Sequence, residues 1–234
     1  GSHDFAKVLK DAERPMIVLG MGALARPDGA AVLALARKIA EDTGMVVEGW
    51  NGFNMLHTAA ARVGGMELGF VPGDGGRDVE GILAGAESGA VEIVYLLGAD
   101  EIDTARLAKA FVVYQGHHGD RGAECADVIL PGAAYTEKNA LYVNTEGRAQ
   151  RARLSHFPPG EAREDWKILR ALSAALDATL PYDTLEQLRA RLESASPVFG
   201  AYDRIVPADW GTFGTEGELD TAPFASPIAD FYRT

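Results

Sequence analysis

Two hydrophobic rhythms alternate along this chain. Short apolar runs (Met16-Ile17-Val18-Leu19, residues 91–97 with Glu92 the one polar position, Phe111-Val112-Val113-Tyr114 and Val128-Ile129-Leu130) read as strands covered on both faces, as in a parallel sheet. Between them the spacing turns helical. Val32, Leu35, Ala36, Ile39 and Ala40 fall on one helical face, with Pro27 suited to its first turn and Gly44 to its stop. Residues 5–13 read as a short helix broken at Arg14-Pro15, and Met45-Val46-Val47 as a second strand. The first segment is then strand, glycine turn, helix, strand, the pattern of a parallel crossover.

The alternation continues downstream. The pattern predicts a helix over 54–63, a glycine-rich loop over 64–76, a short helix over 79–86 and a helix over 104–110. Gly98-Ala99-Asp100 turns the carboxyl end of the 91–97 strand, and a loop with His117-His118 leads to Val128. Two later helices follow. Trp166, Leu169, Leu172 and Leu176 make one apolar stripe, stopped near Pro181, and Thr184 with Gln187 makes a capping box ahead of Leu185, Leu188 and Leu192. The implied fold class is α/β: an open, mainly parallel, doubly wound Rossmann-like sheet with flanking helices, whose sites lie beyond the carboxyl ends of the strands.

Periodicity fades near the end. Residues 1–198 read as the α/β domain and 199–234 as an extended tail carrying Phe199, Tyr202, Trp210, Phe213, Phe224, Phe231 and Tyr232. Disordered tails are poor in aromatics, so this one is expected in grooves of its own domain or on a partner.

Composition narrows the function classes. The chain has 234 residues, 47% of them hydrophobic and 24% charged, as in an ordinary globular protein. A formal net charge of −12 argues against nucleic acid and against adsorption to anionic lipid, since both require concentrated Lys and Arg. The absence of an apolar run of membrane-spanning length argues against direct membrane insertion. Gly1-Ser2-His3 reads as either a tag remnant or native sequence. Cys125 is the single cysteine, which rules out an internal disulfide, points to a reducing compartment and leaves no ligand set for an iron–sulfur cluster in this stretch.

Taken alone, the residues nominate no catalytic, cofactor-binding or metal-ligating set. Gly20-Met21-Gly22 follows a strand and precedes a helix, as a phosphate-binding turn would, with Glu48 as a candidate ribose acid. Ala25 stands where a dinucleotide fingerprint has its third glycine, and close strand–helix packing accounts for the other two. His117-His118 with Asp120 suggests a metal or acid–base cluster, but adjacent histidines in an extended segment point apart, which favours a structural or merely exposed pair. His57 is expected to be partly buried in the 54–63 helix. Cys125 lies beside Glu124 and Asp127, which oppose thiolate formation. Arg148, Arg151 and Arg153 offer an anion site, against abundant acidic partners.

One stretch is more specific. Residues 126–150, ADVILPGAAYTEKNALYVNTEGRAQ, join an apolar strand, a Pro131-Gly132 turn and a polar loop holding Glu137, Lys138, Asn139, Asn144, Thr145, Glu146, Gly147 and Arg148. Such a loop either satisfies its own hydrogen bonds or grips a polar ligand. It resembles the loop of the molybdopterin oxidoreductase superfamily. With Tyr135-Thr136-Glu137-Lys138 at its centre it is most similar to the branch formed by the large iron–sulfur subunit of respiratory complex I. Further pieces of that pattern occur in order: Arg14-Pro15-Met16-Ile17-Val18-Leu19-Gly20, Asn54-Met55-Leu56-His57, Glu67-Leu68-Gly69-Phe70, Leu96-Leu97-Gly98-Ala99-Asp100 and Tyr114-Gln115-Gly116-His117-His118-Gly119-Asp120. After the loop come Pro158-Pro159-Gly160, Arg163-Glu164-Asp165-Trp166-Lys167, Leu180-Pro181-Tyr182-Asp183-Thr184-Leu185 and Ile228-Ala229-Asp230-Phe231-Tyr232.

The resemblance implies the C-terminal part of a longer subunit whose cluster-binding cysteines lie in an N-terminal region, so that this segment binds no cofactor itself. Active relatives have Gly-Thr where this chain has Ala140-Leu141, and an Asn-Pro turn where it has Asp100-Glu101. The implied role is a non-catalytic structural and docking domain of NADH:quinone oxidoreductase, a translocase that passes electrons from NADH through iron–sulfur clusters to quinone, coupled to proton translocation. Its partners would be other peripheral-arm subunits of complex I. Its place would be the cytoplasmic face of a bacterial inner membrane or the mitochondrial matrix side. Two alternatives remain: a fragment of an active molybdopterin-dependent oxidoreductase whose 144–148 loop touches the cofactor, and a stand-alone nucleotide-binding protein using Gly20 to Gly22.

Overall fold

The computed structural model describes residues 3–206. Phe199 and Tyr202 fall inside that range, whereas Trp210, Phe213, Phe224, Phe231 and Tyr232 lie outside the described residues. Two compact units are present, one comprising the residues up to Val63 with Val143–Gly147, the other Gly64–Tyr142 with Arg148–Ile205.

The first unit opens with helix α1 (Phe5–Asp11) and strand β1 (Ile17–Gly20), then a 3-10 turn over Met21–Ala23 and helix α2 (Gly29–Asp42). Ala36 and Ala40 are buried on α2 as the apolar spacing requires, while Leu35 is 47% exposed and leaves the predicted stripe. The expected crossover takes a different route. Met45-Val46-Val47 does not pair with β1. Strand β2 (Val46–Val47) turns back at Gly49, whose φ of +79° suits glycine, and pairs antiparallel with β3 (Trp50–Asn51). The parallel partner of β1 is β4 (Phe53–Leu56), which overlaps the start of the region predicted as a 54–63 helix.

Gly52 shows why β4 wins. A Cβ there would meet the Pro15 carbonyl at 2.4 Å and the Met45 carbonyl at 2.8 Å, so only glycine lets this backbone approach. The contact is used: Gly52 N–H donates to Met45 O at 2.6 Å, and Ile17 N–H donates to Gly52 O at 2.8 Å. The Trp50 indole N–H caps Pro15 O at 3.0 Å. Helix α3 (Arg62–Glu67) starts where the predicted helix was to end and occupies part of the segment expected to be loop.

The second unit is built on three parallel strands, β5 (Ile93–Leu97), β6 (Phe111–Gly116) and β7 (Val128–Pro131), hydrogen-bonded in the order β5-β6-β7. Helix α4 (Val79–Ser88) precedes them. Asp78 caps its start by accepting from Gly81 N–H at 2.8 Å, and Gly89 closes it in the left-handed region. The helix predicted over 104–110 shrinks to a 3-10 turn over Thr104–Leu107, and a short helix absent from the sequence reading, α5 (Arg121–Cys125), links β6 to β7. Leu83, Ala86, Val94, Leu96, Leu107, Val112 and Tyr114 form the core on one face of the sheet.

Beyond β7, a 3-10 turn at Tyr135–Glu137 leads into a hairpin of β8 (Ala140–Val143) and β9 (Ala149–Ala152). Helices α6 (Asp165–Ala175) and α7 (Leu185–Ala195) follow. The capping box on α7 is present as read: Gln187 N–H donates to Thr184 Oγ1 at 3.2 Å, and Thr184 N–H donates to Gln187 Oε1 at 3.3 Å. Leu176, assigned to the α6 stripe, is its C-cap and 66% exposed. The architecture is open α/β with parallel strands, and among the described residues no sheet closes into a barrel.

Candidate functional site

In an open parallel sheet the chemistry belongs at the carboxyl ends of the strands. At those ends of β5, β6 and β7 lies a connected polar group. Gln115, near the end of β6, is fully buried and would be costly there without partners. It has them on both sides: the Tyr95 phenol donates to its Oε1 at 2.5 Å, and its Nε2 donates to Asp165 Oδ1 at 2.9 Å. Asp165, the first residue of α6, also takes Lys138 Nζ at 2.5 Å. Burial, reinforced by the negative charge of Asp165, pushes the Tyr95 phenol above its ordinary pKa of 10.0.

The neighbouring residues close the ring. Glu164 Oε1 accepts from Asn139 N–H at 3.2 Å, and its other oxygen lies 2.8 Å from Lys167 Nζ. Burial acts to raise the Glu164 pKa, yet the Lys167 and Asn139 hydrogen bonds overcome it and hold the carboxyl below 4.5. Asn139 Oδ1 accepts from Leu154 N–H at 3.3 Å, and Glu137 Oε2 accepts from Ala134 N–H at 3.0 Å. The polar residues of the 137–139 loop are thus consumed by internal bonds.

Next to this network, where β5 and β6 end, Asp100 accepts from Gly122 N–H at 3.1 Å and shares a hydrogen bond with Asp120. Two carboxyls bond to one another only through a proton. That bond holds Asp100 below, and pushes Asp120 above, the ordinary carboxylate value. Tyr114 packs tightly beneath them: a Cβ at Gly122 would meet its ring at 2.5 Å. The His117 and His118 rings touch, with centroids 4.3 Å apart, instead of pointing apart as an extended segment would require, because the chain is already turning past β6. Among the described residues no group of three or more His, Cys, Asp or Glu is arranged to hold a metal ion.

The other sequence candidates separate. Asn144 Oδ1 accepts from Glu146 N–H at 3.0 Å and Thr145 Oγ1 donates to Met55 O at 2.8 Å, both within the first unit. Arg148 donates to Asp203 O at 2.5 Å, and the Arg151 guanidinium lies 3.7 Å from the Tyr202 ring centroid, both within the second. Arg148 and Arg151 thus both meet the 202–203 turn, one through a backbone carbonyl and the other through an aromatic ring. His57 lies just past β4 and not in a helix; it is half-buried, and its buried Nδ1 has no partner.

A Cβ at Gly20 or Gly22 would meet nothing within 4 Å, so close packing does not explain those glycines. At the start of α2 the N-cap residue Asp28 is buried, and its carboxylate makes no capping hydrogen bond but is bound by Arg26 through bonds of 2.7 and 2.9 Å. Cys125 lines a cleft of about 420 Å³ with Thr104, Leu107, Arg121, Glu124 and Asp127. Burial pushes its thiol pKa up, which disfavours a nucleophilic thiolate.

Sequence reasoning did not single out Gln115, Glu164 or Asp165 as a set. The available signal was a glutamine inside an otherwise apolar strand run, at its carboxyl end. A polyanionic pterin cofactor placed on this crest would meet Asp100, Asp120, Glu164 and Asp165, with Lys138 and Lys167 already bound to carboxylates. The residues present do not fit such a group. The arrangement fastens the 131–139 loop and α6 to the sheet.

Comparisons with known proteins bear out the resemblance. The molybdopterin oxidoreductase family model matches residues 1–175. The chain is 47% identical over 199 residues to the NADH-ubiquinone oxidoreductase 75 kDa subunit of Reclinomonas americana, covering 84% of this chain and 28% of that protein. It is 40% identical over 235 residues to an NADH-quinone oxidoreductase subunit of Rickettsia felis, covering 100% of this chain and 33% of that one. Against the mitochondrial NADH-ubiquinone oxidoreductase 78 kDa subunit of Neurospora crassa it is 48% identical over 208 residues, 87% of this chain and 27% of the relative. The chain thus spans about a third, or less, of the length of these relatives.

Proposed function

The chain belongs to the molybdopterin oxidoreductase family, and from that premise we propose that it is a non-catalytic structural and docking domain of the large subunit of an NADH:quinone oxidoreductase. The observation that carries this reading is the alignment with the Rickettsia felis protein across the whole chain at 40% identity. In the parent assembly, electrons pass from NADH through iron–sulfur clusters to quinone, coupled to proton translocation. The clusters belong to the part of the subunit outside this segment, and this segment binds no cofactor. The closed polar crest supports that view, because its cations are spent on internal carboxylates. The domain's partners are other peripheral-arm subunits, on the cytoplasmic face of a bacterial membrane or the matrix side of a mitochondrial one. In keeping with a peripheral position, no helix among the described residues is long and apolar enough to cross a membrane.

The test is affinity capture of the native subunit from detergent-solubilised membranes, with NADH-driven quinone reduction and pterin–molybdenum content measured on the eluate. The expected result is a multi-subunit, quinone-reducing assembly without stoichiometric molybdenum. A lone soluble protein, or stoichiometric pterin-molybdenum, refutes the proposal.

A further inference from the structure

We propose that the open face of the β5-β6-β7 sheet is the seat of a crossover helix supplied by the remainder of the same subunit, together with a further parallel strand on the free edge of β5. The inference goes beyond the docking role and rests only on the chain being part of a longer subunit. One face of this sheet is finished. Val94, Leu96, Val112 and Tyr114 lie there with Leu83 and Ala86 of α4 and Leu107 of the 104–107 turn, and Ala123 and Cys125 of α5 pack against them. The other face is apolar and open. The register places Ile93 beside Phe111, Tyr95 beside Val113 and Val113 beside Val128. Ile93 is 67%, Phe111 48%, Leu97 44% and Val128 39% exposed, and none of these positions carries a charge. Helix α6 meets this face at its carboxyl end, through Asp165 on Gln115. Strands of a parallel sheet are buried on both faces, so such a surface is core awaiting its cover.

Handedness explains why this chain leaves it open. The strands step in one direction, β5 to β6 to β7, and right-handed crossovers taken in one direction all fall on one face. Both links, the 104–107 turn and α5, lie on the finished face. A doubly wound sheet covers its second face where strand order reverses and further strands step outward from the opposite edge. That edge is β5. Phe111 N–H donates to Glu92 O at 2.7 Å and Gly98 N–H to Gln115 O at 2.7 Å, so by alternation the amides of Ile93, Tyr95 and Leu97 point away from β6. Among the described residues no strand pairs with them. The outer edge of β7, by contrast, is engaged at its carboxyl end: Ala133 N–H donates to Arg163 O at 2.8 Å, and Arg163 N–H to Pro131 O at 3.1 Å.

The occupant follows from the same geometry. Parallel neighbours need a crossover connection, so a strand added to β5 arrives with its own helix. Two-thirds or more of each relative lies outside the stretch that this chain matches, ample length for such units. Surfaces that meet between separately folded subunits are about as apolar as any other exterior, which this charge-free face is not.

The test replaces Ile93 with the photo-crosslinker p-benzoylphenylalanine in the full subunit, irradiates native membranes and maps the adduct by mass spectrometry. The expected product migrates at the mass of one subunit and joins residue 93 to an apolar peptide of that subunit outside these 234 residues. An adduct to a different subunit, to a second copy, to residues 3–63 or 207–234 of this chain, or no adduct, overturns the inference. A second readout needs no substitution. In hydrogen–deuterium exchange of the full subunit, the Ile93, Tyr95 and Leu97 amides should exchange within about tenfold of the rate of the amides in the central strand β6. Faster exchange there overturns the added strand, and the inference with it. Both readouts are internal to the subunit, so their failure leaves the docking role standing, whereas a subunit absent from any quinone-reducing assembly overturns the docking role alone.

Discussion

Asp165 serves two partners of different kinds, and a three-variant series separates them. Gln115 is fully buried, so the Asp165 Oδ1 that accepts its Nε2 at 2.9 Å replaces water that cannot reach it. Lys138 and Asp165 are 21% and 34% exposed at their side chains, so their ion pair is partly screened. An orphaned buried amide costs about 1–3 kcal/mol. A partly exposed ion pair contributes about 0–1 kcal/mol. Asp165→Ala removes both interactions and should cost about 2–3 kcal/mol. Asp165→Asn keeps an oxygen for Gln115 and loses only the ion pair, as does Lys138→Met, and each should cost about 1 kcal/mol or less. The assay is urea unfolding of the chain and its variants, followed by circular dichroism, with the slope m checked for constancy so that midpoints are comparable. If Asp165→Asn proves as costly as Asp165→Ala, the ion pair and not the buried amide dominates, and the reading of the crest as a Gln115-centred fastening is wrong.

Three further outcomes are expected. The Glu164 carboxyl titrates below 4.5 in the folded chain, so its contribution to stability is complete above the unfolded value and is lost as pH falls through the folded one. Glu164→Gln should therefore flatten the acid limb of the stability profile below about pH 4.5, and an unchanged limb in acid titrations followed by fluorescence counts against that assignment. Leu107, 1% exposed in the core of the second unit, should cost about 2–5 kcal/mol on truncation to alanine, read as a lowered urea midpoint; a loss below about 1 kcal/mol contradicts the packing described. Gly122→Ala drives a methyl to within 2.6 Å of two Tyr114 ring atoms and should destabilise by about 1–3 kcal/mol, whereas a neutral result in thermal unfolding means that the ring is free to move aside.

How much of this was legible beforehand depended on whether the signal was local. The α7 capping box, the 79–86 helix and the apolar runs of β5 and β6 are written in neighbouring residues, and each formed within a residue or two of its predicted place or spacing. Asn54 to Leu56 was misread because its apolar residues suit a helix face and a buried strand equally. The choice was made by Gly52, whose backbone fits beside the Pro15 and Met45 carbonyls only without a side chain. The opposed orientation expected of the histidine pair failed for a similar reason, since the segment leaves strand geometry as soon as β6 ends, although both residues are exposed as one of the favoured readings had it.

The alternation of apolar runs with helical spacing determined the α/β class, and the ordered motifs around residues 126–150 determined the family, because a long run of matched residues constrains ancestry whatever each residue does. They also identified the polar loop as the informative segment. What the loop does with its polar groups was decided only in three dimensions. Lys138 and Asp165 are far apart in sequence, and nothing local says that a lysine after β7 will meet the first residue of α6 over a glutamine at the end of β6. Hydrogen bonding of buried groups is a matter of which partners the fold brings within about 3 Å. The packing of the parallel strands supplied those partners, closing the polar groups on one another.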